Sequence, residues 1–66
     1  MNTDFRTIER KITADGWMLV RTRGSHFQFK KEGVPQTVVI PNHGGRDISP
    51  GVVRHLEKIT GLSLRG

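Results

Sequence analysis

Apolar residues return along this chain with two different periods, and together they mark out five elements. Phe5, Ile8 and Ile12 recur at i, i+3 and i+7, one buried stripe of a helix predicted over residues 3–15. Thr3 is placed to cap it, and Asp4 puts negative charge in the first turn, where the helix dipole favours it. Gly16 suits the left-handed residue that closes a helix. The period then drops to two. Residues 17–23 read as a strand with Met18 and Val20 on one face and Trp17, Leu19, Arg21 and Arg23 on the other. Residues 26–31 read as a second strand, with Phe27 and Phe29 on one face and His26, Gln28 and Lys30 on the other.

Gly24-Ser25 lies between the two strands and signals a tight hairpin, because Gly at the first turn position permits a type II′ turn. That turn sets Arg23 opposite His26, Arg21 opposite Gln28 and Val20 opposite Phe29. A loop at Arg23-Gly24 would slip the pairing by two residues and keep every side chain on its face. Gln36 to Ile40 is a third, β-branched strand ended by Pro41, after a turn containing Gly33 and Pro35. Residues 42–47 form a loop. Ser49-Pro50 then starts a second helix, with Ser49 as cap and Pro50 at the first helical position. Val52, Val53, Leu56 and Ile59 are its stripe, Gly61 stops it, and Leu62 and Leu64 can fold back on the core.

The order α-β-β-β-α defines an α+β fold: a three-stranded antiparallel sheet with both helices on one face. This arrangement buries every apolar stripe. It leaves open the sheet face that carries Arg21, Arg23, His26, Gln28 and Lys30. With 66 residues the chain is expected to be one domain, 1–66, with a thin core, so a ligand is expected on a face.

Charge sharpens this picture. Eleven Lys and Arg against six Asp and Glu give +5, a field that favours a polyanion or an acidic protein. Without cysteine there is no disulfide scaffold or Cys-ligated zinc site, which fits a cytoplasmic protein. No apolar run approaches the roughly 20 residues of a membrane span, and the N-terminal residues lack the cationic-then-apolar order of a signal peptide. No membrane partner is expected.

Among the residues that could do chemistry, the six acids are scattered, and His43 and His55 have no third ligand in a matching pattern, so no metal site is expected. RNA cleavage needs no metal, since the 2′-hydroxyl is a built-in nucleophile. A side chain must take its proton, another must protonate the leaving 5′-oxygen, and cations must stabilise the phosphorane. Histidine, ordinarily with a pKa of about 6.5, is the natural acid or base. Lys and Arg supply the electrostatic part. His26 fits best, on the open basic face after a glycine turn. Its bland alternative is a surface histidine on a polar strand.

His43, in the loop before the second helix, is a second acid or base, a phosphate contact, or a plain turn residue. His55 reads as a solvated helix residue. Ser25 is a turn residue or a hydroxyl contact to phosphate, and Gly24 lets a phosphate approach the main chain. Arg21, Arg23, Lys30 and Arg46 are the expected phosphate contacts. Parity puts Trp17 on the open face, where it would stack on a base. A Trp just after a helix end more often packs over the core edge.

Gly16-Trp17, Arg21 and Gly24-Ser25-His26-Phe27-Gln28-Phe29 resemble the G-W-x-x-x-R-x-x-G-S-H-x-x-F signature of HicA toxins. Val39-Ile40-Pro41-Asn42-His43, followed by Asp47-Ile48 and Gly51, is similar to that family's V-P-x-H…D-I-x-x-G segment. The resemblance spans essentially the whole chain. It implies a fold like the double-stranded-RNA-binding domain and a ribonuclease that cuts mRNA and arrests growth. It also implies a HicB antitoxin that covers the active site and His26 as the catalytic histidine; no small-molecule cofactor is expected. Two other readings use the same residues. A non-catalytic RNA-binding module would need the cations but not His26. A DNA-binding regulator would need a recognition helix, for which the second helix offers only Arg54, His55 and Lys58.

Overall fold

The computed structural model describes residues 3–42, 44 and 46–65. The elements are α1 (Phe5–Ala14), β1 (Met18–Arg23), β2 (His26–Lys30), β3 (Val38–Pro41) and α2 (Pro50–Thr60). The strands form one antiparallel sheet in the order β1-β2-β3, so the predicted α-β-β-β-α order and sheet are those observed. Ile8 and Ile12 of α1 and Val53 and Leu56 of α2 share one buried core with Phe29, Val38 and Ile40 of the sheet. Both helices therefore cover the same sheet face.

The start of α1 differs from expectation. Thr3 is not its cap. Asp4 holds the cap position, and its carboxylate accepts the Thr7 hydroxyl at 2.6 Å instead of a backbone N–H. That hydrogen bond holds the Asp4 carboxyl below its ordinary value. Thr3 is buried and paired elsewhere: its carbonyl accepts the Ile48 N–H at 2.8 Å, and its hydroxyl donates to the Ile48 carbonyl. A β-bridge between Asp4 and Asp47 continues this pairing. The chain entering α1 is thus bound to the chain entering α2, and Ile48, absent from the predicted stripes, is drawn into the core.

The end of α1 follows from Gly16. Its φ of +104° lets the chain reverse, so that the Gly16 N–H donates to Thr13 O and the Trp17 N–H to Ile12 O. These are the two bonds of a Schellman ending, and such endings place the residue after the glycine against the last turn of the helix. Trp17 accordingly packs with Ile12 in the core, only 2% exposed. Its indole N–H has no hydrogen-bond partner among the described residues. An unpartnered buried donor costs about 1–3 kcal/mol. Burying the roughly 200 Å² of a Trp side chain stabilises by about 5 kcal/mol. The ring goes inside.

Burial of Trp17 changes the parity of β1. Leu19 lies opposite Phe29 and Met18 opposite Lys30, but Arg21 lies opposite Gln28, so Val20 is an extra residue, a bulge. The prediction that Met18 and Val20 face the core is wrong: they are 69% and 54% exposed. Leu19, expected on the open face, shares the Phe29 side. Arg21 and Arg23 nevertheless reach the open face, because the bulge restores the parity that Trp17 would have reversed. Thr22 opposite Phe27 takes the core side.

Gly24 has φ +58°, and no residue other than glycine among those described has positive φ, the combination a type II′ turn requires. β3 begins at Val38, two residues later than predicted, and includes Pro41, which pairs with His26. Ser49 caps α2 by accepting the Val52 N–H, and Gly61 ends it in the left-handed conformation, both as expected. The tail folds back as predicted. Leu64 is fully buried, and its N–H donates to Glu57 Oε2 at 2.8 Å while Arg65 Nε lies 3.2 Å from Oε1.

Two predictions follow from these closures. In Gly16→Ala the new Cβ meets only the Lys31 stem at 3.5 Å, so the expected loss is conformational. It should be about 1–2 kcal/mol, read as a lower urea midpoint at unchanged slope. An unchanged midpoint would show that the helix end does not depend on this glycine. The Leu64 N–H, then Arg65, holds the Glu57 carboxyl below its ordinary 4.5. A lowered folded-state value means the contribution is present above pH 4.5 and lost as pH falls through that lower value. Wild type should therefore exceed Glu57→Gln in stability at neutral pH, with the gap closing on acidification below 4.5. A gap constant with pH would sink this account.

Candidate nucleic-acid interface

The open face is built from cross-strand rows. Arg23, His26 and Pro41 form the row nearest the hairpin turn, and Arg21, Gln28 and Val39 the next. Lys30 stands opposite Met18 at the far end of β2. Arg21, Arg23, His26 and Lys30 are all exposed, whereas Gln28 and Pro41 are half-buried between neighbours. Residues directly opposite in such a sheet have Cβ atoms about 4.5–5.5 Å apart. Arg23 therefore stands beside His26 within reach of a single phosphate. Lys30 is four residues further along β2, about 13 Å at 3.3 Å per residue. It lies beyond the reach of a group seated between Arg23 and His26.

These cations are uncommitted. Among the described residues none of Arg21, Arg23, His26 and Lys30 forms a side-chain hydrogen bond or ion pair with another residue. The ion pairs present, Lys31–Asp15 at 2.9 Å and Arg65–Glu57, lie elsewhere. The positive charge of the open face is therefore not neutralised within the described residues.

The turn adds two features. A Cβ built on Gly24 would meet nothing within 4 Å, so the main chain there is open to close approach. Ser25 is half-buried, and its carbonyl accepts the Asn42 N–H at 2.8 Å. This bond carries the β2–β3 ladder past the end of both strands and brings the start of the following loop to the hairpin. Asn42 was not singled out from sequence, and only the motif spacing around Pro41 hinted at it. His43 lies outside the described residues.

Arg46 is exposed and lines a cleft of about 320 Å³ with Pro41, Asp47, Ile48, Ser49 and Val52. Pro41 belongs both to this cleft and to the His26 row, so the cleft borders the basic face. Trp17 is removed from the face by its burial. His55 is exposed on α2, as expected. Among the described residues no three His, Asp or Glu side chains converge as a metal site would need, and no helix is long and apolar enough to cross a membrane.

The fold and the face define a small α+β protein with one exposed basic sheet surface. Residues 5–62 match the family described as the HicA toxin of bacterial toxin-antitoxin pairs, and the chain belongs to that family. It is a toxin-family protein, and membership implies an antitoxin partner. No curated protein matches the chain.

If the rows act as a backbone-binding surface, Arg23→Ala and Lys30→Ala should each weaken RNA binding and lower its dependence on log salt by about one counterion. An unchanged salt slope in both variants would show that RNA lies elsewhere.

Proposed function

We propose that this chain is the toxin of a type II toxin–antitoxin pair and an endoribonuclease that cleaves mRNA without a metal. His26 is the catalytic histidine, and residues 1–66 act as one RNA-binding and ribonuclease domain in the cytoplasm. A HicB-type antitoxin silences it by covering the basic face. The observation that carries the reading is the placing of an exposed His26 directly opposite Arg23 on that face.

The chemistry is transfer within the RNA. The 2′-oxygen attacks the adjacent phosphorus as its proton passes to a base, the bond from phosphorus to the 5′-oxygen breaks, and that oxygen takes a proton. The products are a 2′,3′-cyclic phosphate and a 5′-hydroxyl. His26 serves as one of the two proton-transfer groups. Arg23, with Arg21 behind it, stabilises the extra negative charge that gathers on the phosphorane oxygens, where a fixed cation contributes most. The open main chain at Gly24 and the Ser25 hydroxyl contact the same phosphate. Lys30 holds a neighbouring phosphate, and Arg46 holds RNA on the other side of Pro41. His43 is the candidate for the second proton-transfer group.

The test is cleavage of RNA in EDTA by wild type and by His26→Ala, with folding of both checked by circular dichroism. Wild type is expected to cut, and the folded variant to bind but lose about 10²–10⁴-fold in rate. Equal cutting by both would remove His26 from the chemistry and make His43 the next candidate. Binding without cutting by both would identify a non-catalytic RNA-binding module. Products bearing only 5′-phosphate ends would rule out attack by the 2′-hydroxyl.

A further inference from the structure

β1 is an edge strand, since among the described residues the sheet order leaves its outer side without a neighbouring strand. All six of its residues are exposed. Three consecutive ones are apolar: Met18 at 69%, Leu19 at 47% and Val20 at 54% exposed. A run of this kind on a surface is a liability unless something uses it. The core does not use it, for none of the three belongs to the buried cluster. A nucleic-acid backbone does not use it either, because phosphates gain from Arg21 and Arg23 and nothing from three aliphatic side chains.

The backbone has the matching property. In a two-residue hairpin the pair flanking the turn, here Arg23 and His26, exchanges both backbone hydrogen bonds. At the next position, Thr22, the N–H and C=O then point away from β2. An outward peptide group on an exposed edge is a template for another strand.

What that strand is follows from charge. A second copy of this chain would bring another +5 to the seam. The two arginines keep such an edge from pairing with itself, since a second copy would set like charges against them. The same arginines favour a strand that carries carboxylates. We propose that the outer edge of β1 is the docking strand for an extended segment of the antitoxin, alternating apolar with acidic residues, which adds to the sheet as a fourth strand. The proposal rests on the reading of this chain as the toxin half of a pair. It specifies where the partner holds. A segment seated there occupies Arg21 and Arg23, so it competes with RNA for the His26 row without having to cover His26 itself.

The test uses a synthetic eight-residue peptide alternating valine with glutamate, titrated into the intact chain and followed by amide NMR. Shifts are expected along residues 19–23, with slowed exchange of the Thr22 amide. A valine–lysine peptide of equal length is expected to bind at least about tenfold more weakly, since like charge opposes the arginines. Thr22→Pro removes the outward N–H at a position where an edge strand tolerates proline, and should abolish the effect. If that variant does not fold, Met18→Glu, which places a like charge at the seam, should weaken binding instead. Equal binding of both peptides, shifts confined to His26, Gln28 and Lys30, or no binding would overturn the proposal. Failure of the underlying reading is seen separately: a chain that takes up the peptide but neither cuts RNA nor arrests growth keeps the docking edge and loses the toxin role.

Discussion

Burial of Trp17 is the constraint on which the rest of the sheet depends. The Schellman ending at Gly16 aims this ring at Ile12, and no other single side chain contributes more apolar area to so thin a core. Once the ring is inside, strict alternation would carry Arg21 and Arg23 inside with it. Two unpaired buried guanidinium groups would cost several kcal/mol each, more than the ring contributes. The bulge at Val20 resolves the conflict with one residue. The hydrophobic demand of the helix end and the electrostatic demand of the open face are met on the same short strand.

That solution leaves β1 loosely covered and the open face free of internal ion pairs. Both are costs in stability that a more self-satisfied domain would avoid. Both concentrate on the basic face and its β1 edge, while the helices, the tail clipped by Glu57 and the Thr3–Ile48 pairing secure the rest of the fold.

Much of this was legible in the chain, for reasons that can be located. The turn glycines, the Ser49-Pro50 start and the helical stripes are local signals, and each lies where it was expected. The basic row was read correctly although the strand that carries it was read with the wrong parity at Met18, Leu19 and Val20. A bulge has no signature in a pattern of alternation, and only the fate of Trp17 shows that one is needed. The glycine followed by a large apolar residue was the available clue, since that pair marks a Schellman ending. Thr3 was misread as a cap because its true partner, Ile48, is 45 residues away. The nearness of Asn42 to Ser25 is likewise a property of the sheet and not of either segment.

The hairpin of β1 and β2 has a kinetic meaning as well. It spans residues 18–30 with a two-residue turn, so its contacts are local, and such hairpins close in about 1–10 μs. The link between Thr3 and Ile48 joins the ends of a far longer loop, and long loops close late. During synthesis the Arg23–His26 pair is therefore available before any contact that needs β3 or α2. The third member of its row, Pro41, and the helix behind it follow only later along the chain. A nascent chain can display the charge of the site well before it has the support that makes the site rigid.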